Sequence, residues 1–571
     1  MKHSPFLIIS FFVFVAMTGC NKKHKADLIL INATVYTVDD DFSKAESFAV
    51  SAGKIVATGT SEEIKAKYSA ENIVDAGGKF VYPGFNDAHA HFNGYGTNLM
   101  QYADLRGTSG ADEIYHILQE HYQKFGGDWV LGRSWDQNDW ESTEFPDKLK
   151  LDELFPDIPV YLVRVDGHAG WCNSKSLELA GIMSDTKVAG GQVVVKNGEP
   201  TGILIDNAMG MVSRMIPAIT REQQEHGLLE AQKNCFAAGL ASVTDAGLDK
   251  STILLIEKMQ NKGSLKMRIN AMLNPTEENF ETFVKKGPQK SDRLVVSTIK
   301  IYADGALGSR GALLLEDYSD DQENNGLQIE SQEYYDEICR LAYENNYAVA
   351  THCIGDGANR LMLDTYAKFL EGQNDRRWRI EHAQIIHPDD LEKFGRFSII
   401  PSVQATHATS DMYWADERLG EKRLEKGAYA YQTLLQQNGW LPNGTDFPVE
   451  NINPLYTFYA SVFRMDHAGW PEGGFLKEEG LNREQALRSI TIWPAKASFE
   501  ENEKGSIEPG KWADFVILDT DLMTATPQEV LDAKIESTWI AGEKVFGNSW
   551  EKKEIFTGFL PWKLTRNEKY L

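Results

Sequence analysis

Eight short apolar runs, separated by helix-length amphipathic stretches, constrain this chain more than any other feature. They are Val81 to His91, Ala241 to Ala246, Met267 to Leu273, Val296 to Ala303, Ala348 to Cys353, Trp378 to Ala383, Ser398 to Val403 and Leu441 to Asp446. Between them fall stretches such as Tyr334 to Glu344 and Arg360 to Phe369, which read as crossover helices of a parallel sheet. Eight such runs predict an α/β fold, a TIM-type (β/α)8 barrel over residues 83–499. The gap from about 108 to about 220 is too long for one crossover helix and predicts a subdomain inserted after the first strand.

The chain ends carry a different pattern. Leu28-Ile29-Leu30, Thr34 to Val38, Ser47 to Val50 and Lys54 to Ala57 read as short strands, and so do Trp512 to Leu518 and Glu536 to Val545. Residues 27–82 plus 500–550 are therefore expected to form one small composite β-sandwich, with 551–571 as a C-terminal tail. A length of 571 residues with 42% hydrophobic content excludes a disordered or fibrous chain. The net charge of -25, with no concentrated basic patch, disfavours nucleic acid and anionic lipid head groups as partners. Nothing in the sequence fixes an oligomeric state.

Only the N-terminus is continuously apolar, from Phe6 to Ala16, and this run is too short to span a bilayer permanently. It leads into Met17-Thr18-Gly19-Cys20, which resembles the lipobox of a bacterial lipoprotein signal peptide. The expectation is a signal peptide over 1–19, a linker over 20–26 and lipidation at Cys20, giving an exported protein of the cell envelope, in the periplasm or at the outer membrane. Membrane contact would run only through that anchor. The rival reading, an ordinary secretory signal with an incidental Cys20, also exports the protein. Cys172, Cys235, Cys339 and Cys353 are scattered without a C-x-x-C pair, so no zinc ribbon or dense disulfide framework is indicated. Buried free thiols are the default, with one disulfide left open.

The ends of the barrel runs carry the chemistry. His89 and His91 are two apart on a strand, so both face one side and can share a metal ion. Alone, such a pair is as readily structural. In the fourth run Thr298, Lys300, Tyr302 and Asp304 alternate with Ile299, Ile301 and Ala303, which puts a lysine inside the barrel. A buried ammonium must pair with a carboxylate, lose its proton or be chemically changed. An ion pair with Asp304 is one solution; a carbamate formed from carbon dioxide, able to bridge two metal ions, is another. His352 closes the fifth run, His382 the sixth and Asp446 the eighth, all at the end where barrel enzymes keep their active sites. Cys353 should face outward.

Five segments together resemble the amidohydrolase superfamily, specifically the branch that includes N-substituted formamide deformylase. They are Pro-Gly-Phe-Asn-Asp-Ala-His-Ala-His from Pro83, Lys-Ile-Tyr-Ala-Asp-Gly-Ala-Leu-Gly-Ser-Arg from Lys300 to Arg310, His-Cys-Ile-Gly-Asp-Gly-Ala from His352, Arg-Ile-Glu-His-Ala-Gln from Arg379 and Gly-Thr-Asp-Phe-Pro-Val from Gly444. The resemblance implies that His89 and His91 bind one divalent metal, that His352 and His382 bind a second, and that a carboxylated Lys300 bridges them. Asp446 is then a ligand of the first metal and the general base, passing a proton to the leaving nitrogen. Zinc fits such ligands foremost, with manganese, iron and nickel also compatible.

Substrate-binding candidates are His168 in Asp166-Gly167-His168-Ala169-Gly170-Trp171, together with Trp171, Trp135 in Gly132-Arg133-Ser134-Trp135-Asp136, Asp304, Arg310 and His407. His168 is also a catalytic candidate, through a hydrogen bond to the substrate or its oxyanion. For both tryptophans core packing is at least as strong a reading. The expected activity is hydrolysis of a non-peptide carbon–nitrogen bond in a small amide, N-substituted formamide or cyclic amide. A mononuclear deaminase or esterase on the same barrel is the alternative if Lys300 is unmodified. A catalytically inactive, lipid-anchored binding protein is the alternative from another class.

Overall fold

The computed structural model describes residues 23–547, so the expected signal peptide over 1–19, Cys20 and the expected tail over 551–571 lie outside the described residues. The barrel strands are β1 (Phe85–Ala90), β2 (Leu240–Leu248), β3 (Arg268–Leu273), β4 (Leu294–Tyr302), β5 (Ala348–Cys353), β6 (Arg379–His382) and β7 (Ile400–Ser402). They pair in chain order, each parallel to the next. This is a TIM-type α/β fold with additional domains. Strand alternation sorts the side chains: Ile269, Ile299, Ile301, Val349, Cys353 and Ile380 enter the large core beneath the helices. Ala246, Met272 and Ala350 meet inside the barrel.

The eighth run departs from expectation, because Leu441 to Asp446 is not a regular strand. Pro442 has no amide proton to give a ladder, and Asp446 adopts φ 59, outside the strand region. The segment nonetheless closes the barrel by main-chain hydrogen bonds to both neighbours. Val403 N donates to Pro442 O at 3.0 Å and Gly444 N to Val403 O at 2.9 Å on one side; Asp446 N donates to His89 O at 2.8 Å on the other.

After β1 comes helix α1 (Phe92–Gln101), and then the insertion, a six-stranded sheet whose strands run from Ala103–Asp104 to Glu199–Asp206. It begins a few residues before the expected boundary. The insertion has its own core, in which Trp135 and Trp171 pack against Leu162, Phe155 and Ile203. Their indole N–H groups donate to Leu162 O and Asp147 O, both at 3.0 Å. Trp135 and Trp171 are therefore core residues rather than substrate contacts: each ring is fully enclosed and its one polar group is satisfied. Helix Arg221–Ala237 then returns the chain to the barrel, packing on α1 so closely that an added Cβ at Gly96 would lie 2.6 Å from Gly227 O.

Besides the short parallel pair of His24–Lys25 and Tyr68–Ser69, the end segments among the described residues form two small sheets. One holds Leu28–Ile31, Ser47–Ser51, Lys54–Gly59 and Asn72–Asp75; the other combines Thr34–Tyr36, Lys44–Ala45 and Phe80–Pro83 with Phe515–Leu518, Ile535–Ile540 and Glu543–Gly547. Leu30, Phe48, Val35, Val81, Phe515 and Trp539 fill the space between them. A buried ion pair ties this sandwich to the foot of the barrel, with Arg268 Nε 2.5 Å and Nη2 3.1 Å from the two oxygens of Asp514. Cys172, Cys235, Cys339 and Cys353 are buried free thiols.

Candidate metal centre

β1 ends in the two histidines, and each is aimed by different neighbours. His89 is buried, with Nδ1 2.6 Å from Glu381 Oε2, which fixes the proton on Nδ1 and leaves Nε2 as the free lone pair. That Nε2 is buried and has no hydrogen-bond partner. His91 stands at the N-terminus of α1 with Nε2 3.2 Å from Asp446 Oδ1. His89 Nε2 is 3.7 Å from the same oxygen.

β4 points Lys300 into the barrel, fully buried, with no hydrogen bond to Nζ. Burial pulls its pKa down to about 8, against the charges of Glu381 and Asp446. It does not pair with Asp304. That carboxylate is held by the main-chain N–H groups of Ile354 at 3.0 Å, Gly355 at 2.8 Å and Leu313 at 2.9 Å. Asp304 thus clamps the loops after β4 and β5, and with both oxygens engaged it leaves the list of substrate contacts. Arg310 donates from Nη2 to Asp320 at 2.9 Å.

His352 faces inward from β5, its Nε2 3.3 Å from Gly305 O and its ring 4.6 Å from that of His382. His382 needs a separate account. On β6 Arg379 and Glu381 take the inward positions, so strict alternation would turn His382 outward. Left-handed backbone at His382 (φ 72) and Ala383 (φ 44) reverses that and swings the ring to the barrel mouth. Its Nδ1 lies 2.6 Å from Gln404 Oε1. Burial and neighbouring positive groups push His89, His352 and His382 below the usual histidine range, so all three stay neutral, as metal ligands must.

Asp446 sits at the centre. Its Oδ2 is 3.5 Å from His407 Nε2 and 3.9 Å from His382 Nδ1. Burial raises its pKa, but His91 and then His89 beside it hold the carboxyl well below the ordinary range, so it is ionised. Among the described residues two groups can each offer three ligand atoms within 4.8 Å of one another: His89, His91 and Asp446, and His382, His407 and Asp446. The donor set fits divalent metal: imidazole and carboxylate groups converge, and buried polar atoms of His89, Lys300 and His407 there have no hydrogen-bond partner in the protein.

The insertion adds His168 to the rim, its ring 4.8 Å from that of His352. Its Nδ1 is 2.6 Å from Asp206 Oδ1; burial lowers its pKa, yet the bond to Asp206 and that residue's charge raise it overall. Sequence reasoning missed the residues that support the ligands. Glu381 is ion-paired to Arg379, with Nε 2.8 Å from Oε1, and accepts from Ser402 Oγ at 2.9 Å on the oxygen that faces His89. Burial raises the Glu381 pKa, but Arg379 and then His89 bring it down to about 2. Asp87 accepts from Thr445 Oγ1 at 2.7 Å, Thr445 N at 3.0 Å and His89 N at 3.1 Å, joining β1 to the segment that carries Asp446. The alternation that singled out Lys300 also puts Arg379 and Glu381 inside β6, and that signal was available.

A barrel with these side chains gathered at the C-terminal ends of its strands defines a metal-dependent hydrolase. Its relatives agree. The chain belongs to the amidohydrolase family, whose sequence profile matches residues 72–546. It is 33% identical to Protein LONG AFTER FAR-RED 3 of Arabidopsis thaliana, covering 91% of this chain and 92% of that one. It is 25% identical to N-substituted formamide deformylase of Arthrobacter pascens, covering 90% and 97%. An uncharacterised metal-dependent hydrolase of Pyrococcus horikoshii superposes with a TM-score of 0.71 at 29% identity, over 88% of this chain and 99% of that one.

Proposed function

We propose that the protein hydrolyses a non-peptide carbon–nitrogen bond in a small amide, N-substituted formamide or cyclic amide. His89 and His91 would hold one divalent ion, His352 and His382 a second, with Asp446 on the first and a carboxylated Lys300 between them. Zinc is the first choice of metal. The observation that carries this reading is the meeting of partnerless buried atoms, Nε2 of His89 and Nζ of Lys300, beside an ionised Asp446. A buried lysine amine without an acceptor is the form that takes up carbon dioxide. The name of the Arthrobacter relative supports the choice of bond.

Metal ions held there supply a water acidic enough to attack near neutral pH and a polarised carbonyl. Asp446 takes the proton of the attacking water on its carboxylate and returns it to the departing nitrogen. His168, favoured as the imidazolium by Asp206, keeps its Nδ1–H on that carboxylate and donates its Nε2–H to the substrate carbonyl oxygen.

The test is a panel of amides, N-substituted formamides and cyclic amides on the metal-replete enzyme, with esters and aminopurines alongside. Turnover of carbon–nitrogen substrates, lost on chelation and restored by zinc, is expected, with about two metal ions per chain and carbon dioxide released on acidification. Fully metallated enzyme that leaves every carbon–nitrogen substrate intact would sink the activity. One ion per chain without releasable carbon dioxide would sink the bridged centre. We propose also that the protein is exported to the cell envelope and anchored through Cys20. Cys20→Ala is expected to move it from the membrane pellet to the soluble fraction; identical partition of both forms rules the anchor out.

A further inference from the structure

Arg133 has no carboxylate partner among the described residues, although it belongs to an acidic protein. It stands on insertion strand Val130–Trp135, where the ladder slips between Arg133 and Trp135 and Ser134 takes φ 74. Trp135 beyond that slip goes into the insertion core, whereas Arg133 spans the rim of the barrel mouth. With the Asn98 amide turned to suit its neighbours, Asn98 accepts from Arg133 Nε at 3.2 Å. Asn98 belongs to α1, the helix that starts beside His91. At the other end of the guanidinium, Nη2 lies 3.6 Å from where a Cβ of Gly167 would stand. Gly167 directly precedes His168, whose ring lies against His352. The charge of Asp446 is among those acting on Arg133, as its position over the metal centre requires.

Two acids of the surrounding chain are engaged elsewhere. Asp104, opposite Arg133 in the ladder, accepts from Arg106 N at 3.1 Å. Asp166 gives one oxygen to Arg164 Nη1 at 2.5 Å and the other to His168 N at 2.9 Å. The terminal nitrogens of Arg133 therefore remain as donors without a carboxylate among the described residues, with Nη2 beside Gly167, and a guanidinium presents two parallel N–H bonds that match a carboxylate. Gly167, at φ 77, puts no side chain in the way.

We propose that Arg133 is an anion subsite of the active centre and takes a carboxylate on the part of the substrate remote from the scissile bond. The substrates are then N-acyl or N-formyl compounds bearing an acid group, rather than neutral amides. This rests on the carbon–nitrogen hydrolysis proposed above. The probe is a matched pair differing only in the carboxylate, N-formylphenylalanine and N-formyl-2-phenylethylamine. The wild-type kcat/KM is expected to favour the acid by about tenfold or more. In Arg133→Gln that ratio should fall to about one, through a raised KM for the acid, and Arg133→Lys, which keeps the charge but loses the fork, should fall between. An unchanged ratio in Arg133→Gln, or a wild-type preference for the neutral compound, overturns the subsite. If neither compound is hydrolysed, the activity reading fails separately, and the subsite is judged by thermal stabilisation with phenylacetate against 2-phenylethanol. Stabilisation by phenylacetate alone, in the wild type and not in Arg133→Gln, upholds it; equal responses overturn it.

Discussion

Glu381 decides what His89 can do. Its carboxylate holds the imidazole proton on Nδ1 and so leaves the other nitrogen as the free lone pair beside Asp446, where the proposed metal would sit, while Arg379 keeps the carboxylate itself ionised. Glu381→Gln retains the shape but weakens that hold, and is expected to lower metal affinity by about 10–100-fold in a chelator competition. Glu381→Ala should do worse, because it also strands the buried Arg379 charge. Asp446→Asn separates binding from chemistry. Turnover should fall by at least about a thousandfold, as for loss of a proton-transfer group, while metal content by elemental analysis stays near that of the wild type. Near-normal turnover in that variant would remove Asp446 from the role of base.

At the scale of elements, the weakest link of the barrel carries its central carboxylate. The segment from Leu441 to Asp446 has no continuous ladder and is held by a few main-chain bonds and by the grip of Asp87 on Thr445. Gly444 lies so close to β1 that an added Cβ would stand 2.5 Å from His89 N. Gly444→Ala should therefore push Asp446 away from the histidines, lowering the melting temperature and the bound metal together; loss of stability with full metal content would contradict this. Seven barrel strands were legible because an apolar outward face with an inward polar remainder writes itself as alternation. The eighth was legible only as a run of residues, since Pro442 and the left-handed Asp446 break the regular backbone without breaking the apolar pattern. His382 was found by its place in a motif, and alternation alone would have turned it outward. Trp135, Trp171 and Asp304 were misread because motif membership does not distinguish a group that faces the cavity from one that builds its wall.

In the whole molecule, the sandwich and the barrel share the Arg268–Asp514 pair, and neither residue has much contact with solvent. Asp514→Ala leaves a buried guanidinium uncompensated and should cost about 3–5 kcal/mol in denaturant unfolding, with Arg268→Met restoring part of it in the double variant. Additive losses would show that the pair is not the link. The composite sandwich was readable in the sequence as strand patterns at both ends, whereas the pairing of Phe80–Pro83 with Phe515–Leu518 joins residues too far apart for local pattern to reveal. The inserted sheet has a further consequence. Every proposed metal ligand comes from the barrel, while His168 and Arg133, the groups that would greet the substrate, come from one uninterrupted stretch that leaves and rejoins the barrel between two neighbouring strands. On that reading recognition is carried on one piece of chain and the reactive centre on another, so the insertion can be altered without touching a proposed metal ligand.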